Sequence, residues 1–352
     1  MQQPKVHILY EFVNGPWGGA NQFLSGLRSS LEKKGFYSKE IQNANIVIVN
    51  SNPSSMKLIT NRIYDLKVKY PNIRIINRVD GPVKAIRGKD GYYDKSFSLF
   101  DNTFADGTIF QSQWSKSKLH DMNLTFNPNS CIIQNGADQS IFSPHKRASR
   151  RSEKIRIVSS SWSPNPRKGF KVYQWLDSNL DFSKYEYTFI GNSPIKFRNI
   201  KVMEPLAPKL LGDELKKYDL YITASQSDPC SNSLIEALSC GLKVIGLQDG
   251  GHTEIINKNG RTFRTESELL ELIECCNKIP YPLTEEYSLE HSVDKYVDFF
   301  RKTLESSPRI INKWQFNKLR ALQSLIELKS ILGKTKRLLM RRGKQPLTTI
   351  NL

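Results

Sequence analysis

The chain has 352 residues, 38% of them hydrophobic and 24% charged, which suits two domains that each bury a core and excludes a disordered chain. No run reaches the ~18 apolar residues of a membrane span, and the N-terminal MQQPKVHILYEF lacks the basic segment and long apolar run of a secretory signal. The five cysteines are odd in number, lack C-x-x-C spacing and have no histidine cluster beside them, which argues against a disulfide framework or a zinc site and for a reducing, cytoplasmic compartment. The net charge of +18 implies an anionic partner, whether nucleic acid, acidic lipid headgroups or a phosphorylated substrate, and it is uneven: from Ser306 to Leu352, eleven Lys or Arg stand against one acid, Glu327.

In chain order, short β-rich runs alternate with helix-length segments. Strands are predicted at 6–10, 45–49, 73–76, 107–110 and 131–133, with helices at 19–34, 55–69 and 115–122 between them. That alternation is the pattern of βαβ units and a parallel sheet. Residues 144–154, PHKRASRRSEK, are polar, basic and aperiodic and read as an interdomain linker. The alternation then restarts, with strands at 155–158, 187–190, 220–223 and 243–246, a helix at 168–180 and another beginning near Ser231. A helix follows over 287–304, with Val293, Tyr296, Val297, Phe300 and Leu304 on its apolar positions. The predicted organisation is a first α/β domain over 1–143, the linker, a second over 155–283, a helix at 284–305 packing back toward the first domain, and a basic amphipathic tail over 306–352.

The segment that carries most chemistry is SDPCSNSLIEALSCGLKVIG, from Ser227 to Gly246, followed by Gly250-Gly251-His252-Thr253-Glu254. A strand ends near Thr223, a short loop holds Asp228, and a helix opens with Ser231 or Asn232 as its N-cap. A helix start at the carboxyl edge of a parallel strand is an anion site, because its free N–H groups and its dipole both favour phosphate. Glu236 is placed to accept hydrogen bonds from a vicinal diol such as ribose, and Asp228 from sugar hydroxyls. Taken alone, the segment reads equally well as a buried helix whose first-turn acid balances the dipole.

As a whole, however, it resembles the signature of glycosyltransferase family 4: an acidic residue, seven residues, Glu-Ala, then a Cys-Gly turn into a strand. The resemblance covers about residues 5 to 305 and is more specific in the second half. It implies the GT-B fold, two Rossmann-like doubly wound domains facing a cleft, and retaining transfer from a nucleotide-sugar. By that resemblance Glu236 binds the donor ribose and Asp228 the donor sugar, although the family more often has Glu where Asp228 stands. Gly18-Gly19 matches a glycine pair that lets the backbone approach the diphosphate. The segment SWSPNPRKGF resembles one whose cations neutralise that diphosphate: Lys168 matches the lysine, while Trp162 stands in place of an arginine for which Arg167 is the nearby substitute. Ile133-Gln134-Asn135-Gly136-Ala137-Asp138 resembles the turn that closes the first domain. Arg78-Val79-Asp80-Gly81-Pro82 lies where many members carry a histidine near the transferred sugar, making Asp80 its counterpart, or else a plain turn residue.

The implied site therefore has Lys168, Asp228 and Asp80 in catalytic positions, and Gly18, Gly19, Arg167, Lys168, Ser231, Asn232 and Glu236 on the donor. No Asp-x-Asp motif is present, so neither a metal nor a further cofactor is expected, and a UDP- or GDP-sugar is the expected donor substrate. The expected acceptor is a glycan or lipid-linked sugar of cell-surface polysaccharide synthesis. The cationic, apolar tail suits an acidic membrane surface, giving a cytoplasmic protein peripheral to the inner membrane face; a solvated extension is the plainer alternative. Three rivals remain at this level: a nucleic-acid or anionic-polymer binder, disfavoured because the charge sits in the tail without a nucleic-acid motif; a sugar-nucleotide epimerase of the same fold; and a non-catalytic homologue, suggested by Trp162 and Asp228.

Overall fold

The computed structural model describes residues 2–13, 19–53, 55–144 and 154–342. Gly18, most of the 144–154 linker and the end of the tail, residues 343–352, lie outside the described residues. Among the described residues no helix is long and apolar enough to cross a membrane.

The first half is a five-stranded parallel sheet in the order β1-β2-β3-β4-β5, formed by Val6–Leu9, Ile46–Ser51, Arg74–Val79, Gly107–Phe110 and Ser130–Ile132. Its helices are α1 (Gly19–Lys33), α2 (Met56–Lys69), α3 (Val83–Arg87), α4 (Tyr92–Phe104) and α5 (Gln113–Asp121). Side chains of β2 alternate between two cores: Ile46 and Ile48 meet α1, and Val47 and Val49 meet α2 and α4. After α1 the chain returns beside β1 at Tyr37, in a parallel bridge to Val6, before crossing to β2. The crossovers thus diverge at β1, and the start of α1 sits at the resulting crevice on the carboxyl edge of the sheet.

The second half is a six-stranded parallel sheet ordered β11-β10-β9-β6-β7-β8. Its strands are β6 (Ile155–Ser161), β7 (Tyr185–Gly191), β8 (Lys201–Met203), β9 (Leu220–Thr223), β10 (Lys243–Leu247) and β11 (Arg261–Phe263). Helices α6 (Phe170–Asn179) and α10 (Glu266–Glu274) cover one face; α7 (Pro208–Leu215), α8 (Asn232–Ser239) and α9 (His252–Ile256) cover the other. Chain order reverses between β6 and β9. From there α6 and α8 leave toward opposite faces, so the residues that precede both helices converge at one point of the carboxyl edge.

Two departures from the predicted elements matter for the site. β6 runs through Ser159, Ser160 and Ser161, a polar stretch without alternation, because the ladder to β7 extends to Ser161 and Gly191. Lys168 is not in a helix: Pro166–Lys168 is a 3-10 turn, Gly169 adopts a left-handed φ of 89°, and α6 begins at Phe170. A Cβ on Gly169 would meet Ala224 at 2.5 Å, so this glycine brings the Lys168 backbone against the end of β9.

The chain crosses back to the first half at Ser288, where the Ala137 N–H donates to the Tyr287 carbonyl and the Ala137 carbonyl accepts from the Leu289 N–H. Helix α11 (Leu289–Glu305) then packs Val293, Tyr296, Val297 and Phe300 into the core shared with α1. The long α12 (Lys313–Arg342) lies across α2 and α4 on the other face.

Candidate functional site

A cavity of about 720 Å³ opens between the two carboxyl edges, within the ~300–1,000 Å³ usual for small-molecule sites. Gly19, Asp80, Lys168, Asp228, Ser231, Asn232 and Glu236 line it. Arg167 does not: its Nη1 donates to the Ala85 carbonyl of α3 at 2.6 Å, tying the second half to the first. The physical reason is the 3-10 turn, which points adjacent side chains in different directions, Lys168 to the cavity and Arg167 across the cleft.

Lys168 and Asp228 are 60 residues apart in sequence, yet Nζ meets Oδ2 at 2.8 Å. They meet because one precedes α6 and the other precedes α8 at the divergence point. The Asp228 carboxylate raises the Lys168 pKa above its ordinary value. Burial opposes ionisation of Asp228, but the Lys168 ammonium and the nearby His252 outweigh it and hold the carboxyl below its usual range. The pair is therefore charged. The Asp228 loop is pinned from outside: Asp249 accepts the Ser227 N–H, Gly251 N–H donates to the Asp228 carbonyl, and Ser227 is held at a strained φ of 53°.

Helix α8 opens at Ser231, which occupies the N-cap position but makes no side-chain cap bond. Its hydroxyl contacts Ser233 Oγ instead, at 3.2 Å. The first N–H groups of α8 thus keep their capacity to bind an anion. One turn on, Glu236 is 7% exposed, and burial pushes its carboxyl up to about 8, only partly offset by the Gln22 side chain of α1. A carboxyl raised that far favours its neutral form at pH 7.

The first half supplies a different kind of wall. Arg78, on β3, is wholly buried and donates to Asn50, to Asp80 at 3.4 Å and to Asn135 Oδ1 at 2.8 Å. A guanidinium can only donate. Asn135 must therefore turn its oxygen to Arg78 and its amide nitrogen outward, to Asn232 Oδ1 at 2.7 Å. Asn232 in turn must donate, and does so to the Gly19 carbonyl at 2.9 Å. Gly19 permits this approach, since a Cβ there would lie 2.6 Å from Asn232 Nδ2. A hydrogen-bond chain of one polarity thus runs from the first sheet through α8 to the start of α1. Asp80 hangs on its beginning, held also by Gln111 Nε2 at 3.3 Å; burial raises its pKa, and Arg78 opposes the rise.

Asn232 was expected to face the donor, but its amide is engaged in this interdomain chain although the residue lines the cavity. The sequence reading assigned no role to Arg78, Asn135 or Gln111. Nor did it assign one to Glu254, whose two oxygens accept the Gln113 and Trp114 N–H groups at 2.7 Å each, capping α5 from the other half. His252 is fully buried: Nδ1 bonds the Leu247 carbonyl at 3.0 Å, Nε2 has no partner among the described residues, and burial lowers its pKa. The signal available for Asn135 and Glu254 was their place in segments already singled out, but pairing across the cleft cannot be read along a chain.

No family model matches the sequence, and no curated protein matches it. Solved structures do. A glycosyltransferase from Rickettsia africae ESF-5 superposes with a TM-score of 0.61 at 16% identity, covering 86% of this chain and 98% of that one. HepE from Anabaena, in complex with UDP-glucose, gives 0.58 at 14% identity over 86% and 99% of the two chains. The catalytic domain of starch synthase IV from Arabidopsis thaliana, bound to ADP and acarbose, gives 0.64 at 12% identity over 87% and 100%. At such identities the likeness establishes the fold: two parallel-sheet α/β domains facing a cleft, the GT-B architecture of these glycosyltransferases.

Proposed function

We propose that the chain is a retaining, metal-independent glycosyltransferase of the family 4 kind, moving a hexose-type sugar from a UDP- or GDP-sugar to a glycan or lipid-linked acceptor. The observation that carries this reading is the convergence of the charged Lys168–Asp228 pair, buried Glu236 and the uncapped start of α8 on one cavity wall, with the start of α1 opposite. The likeness to structures that hold UDP-glucose or ADP supports a nucleotide in the same cleft.

In this reading the diphosphate lies against the first N–H groups of α8. Lys168 gives one of its three N–H donors to Asp228 and keeps two for the phosphates. Transfer builds negative charge on the departing diphosphate, where this fixed cation and helix start stabilise it in a partly dehydrated site. Asp228, kept ionised by Lys168, accepts from sugar hydroxyls and favours the positive charge that grows on the ring. Glu236 accepts from the ribose diol. Asp80 faces the cavity from the acceptor side. The leaving phosphate takes the acceptor hydroxyl proton during front-side attack, so no protein nucleophile is assigned.

A thermal-shift screen with UDP-, GDP-, ADP- and CMP-sugars tests the reading. One nucleotide class should raise the unfolding midpoint, and Glu236→Ala should shrink that rise. A flat response to all four would remove the nucleotide-sugar assignment. Donor incubated without acceptor separates transfer from epimerisation, since slow hydrolysis belongs to the first and a changed sugar to the second.

A further inference from the structure

Helix α12 buries one face and presents another. Phe316, Leu319, Gln323 and Ile326 recur at helical spacing and are buried against α2 and α4. Phe316 stacks on Tyr64 with centroids 4.0 Å apart, and Gln323 donates to Thr60 Oγ1 at 2.9 Å. At about 100° per residue, Trp314, Leu325, Leu328 and Leu332 fall on the opposite side. They are exposed by 68%, 58%, 54% and 61% respectively. Isolated exposed leucines are ordinary, but four large apolar side chains aligned on one helix form a contact stripe.

The charge beside the stripe has one sign. Exposed Lys318 and Lys329 border it on the wheel, Lys318 with its ammonium 5.1 Å from the Trp314 ring centre. Glu327, the single acid of the 306–352 segment, is bound to Lys57 at 2.5 Å and offsets nothing on the outer face. The sequence continues with Lys334, Lys336, Arg337, Arg341 and Arg342 before the helix ends. A second copy of this helix would set cations against cations. An anionic phospholipid surface offers both the apolar depth and the opposite charge.

Direction adds a second observation. Phe316 contacts Phe104 at the end of α4, while Lys329 lies over Tyr92 at its beginning, so α12 runs antiparallel to α4. Because α4 descends from the carboxyl edge of its sheet, α12 climbs toward that edge, where the cavity opens. From Lys329 to Arg342 it projects roughly 20 Å further, at ~1.5 Å per residue.

We propose that α12 mounts the protein on an anionic phospholipid bilayer, with Trp314, Leu325, Leu328 and Leu332 entering the headgroup layer and the flanking cations pairing with lipid phosphates. The mount holds the cleft edge beside the membrane surface. This inference stands apart from the sugar-transfer reading, because nothing in it depends on what the cavity binds.

Co-sedimentation of the full chain with vesicles tests it, using phosphatidylcholine alone and phosphatidylcholine with phosphatidylglycerol. The chain should sediment with the anionic vesicles and bind the neutral ones about tenfold more weakly or less. Leu325→Glu with Leu328→Glu should cut anionic binding by about tenfold or more while the unfolding midpoint stays unchanged. Trp314→Phe should remove most of the blue shift of tryptophan emission on vesicle addition. The proposal fails if the unaltered chain ignores anionic vesicles. It also fails if the double Glu variant sediments as well as the unaltered chain, or if the stripe serves only self-association, with the unaltered chain eluting as a dimer that the variant converts to monomer.

Discussion

The two walls of the cleft are built on different principles. The second half presents groups whose protonation is tuned: Lys168 and Asp228 each favour the other's charge, and Glu236 is held neutral by burial. The first half presents groups whose direction is tuned, with buried Arg78 dictating which way Asn135 and Asn232 turn. One wall has charge to offer a ligand, and the other positions α8 to receive it. A site split this way should respond to substitution in two distinguishable manners.

The largest effect belongs to the charged wall. Lys168→Ala should lower kcat by ~10²–10³-fold, the loss of ~2.7–4 kcal/mol typical of removing a donor from developing charge. Steady-state turnover against a nucleotide-sugar measures it, and an equal loss in Asn135→Asp would erase the distinction between the walls. On the positioning wall, Asn135→Asp keeps the acceptor for Arg78 but cannot donate to Asn232. The broken chain should cost ~1–3 kcal/mol, the penalty of an unmet buried polar group. It should appear as a raised KM with kcat changed less, because α8 is misplaced while Lys168 is intact.

Glu236→Gln sharpens the comparison through pH. A carboxyl raised to about 8 in the folded protein binds a proton that the unfolded chain releases near its ordinary 4.5. Stability from this group is therefore present at low pH and lost as pH rises through the window from 4.5 to 8. Gln carries no such loss, so the midpoint advantage of the variant over the unaltered chain should grow between pH 5 and pH 8. The same variant should bind nucleotide about tenfold more weakly, having exchanged a charged acceptor for a neutral one. In the unaltered chain, nucleotide affinity should rise with pH up to about 8 and then level off, with proton release on binding at pH 7. Calorimetry in buffers of different ionisation enthalpy reads that release directly. The smallest effect is expected for Glu254→Gln, which keeps one acceptor for the α5 N–H groups and should change stability by roughly 1 kcal/mol or less.

Much of this molecule was legible as sequence because its signals are local. Strands such as Gly107–Phe110 and Leu220–Thr223 are short apolar runs between turn residues, and they stand where that pattern places them. Helix α4 was not legible. YYDKSFSLFDNTF is rich in aromatic and β-turn residues of middling helix propensity, and it is helical because Phe97, Phe100 and Phe104 are buried together in the first core. The serines of β6 were missed for the same reason, since pairing with β7 decides their conformation.

What the sequence determined by itself is the alternation that yields two parallel sheets, the spacing of Asp228 and Glu236 across the start of one helix, and the cationic, apolar character of the tail. These depend on neighbours within a few residues. Only the tertiary structure decided that Arg167 would reach Ala85, that Arg78 would orient Asn135, and that Glu254 would cap a helix of the other half. Each of those joins residues tens to more than a hundred positions apart. Hydrogen-bond polarity and burial are properties of the assembled cleft, and no window along the chain contains both partners.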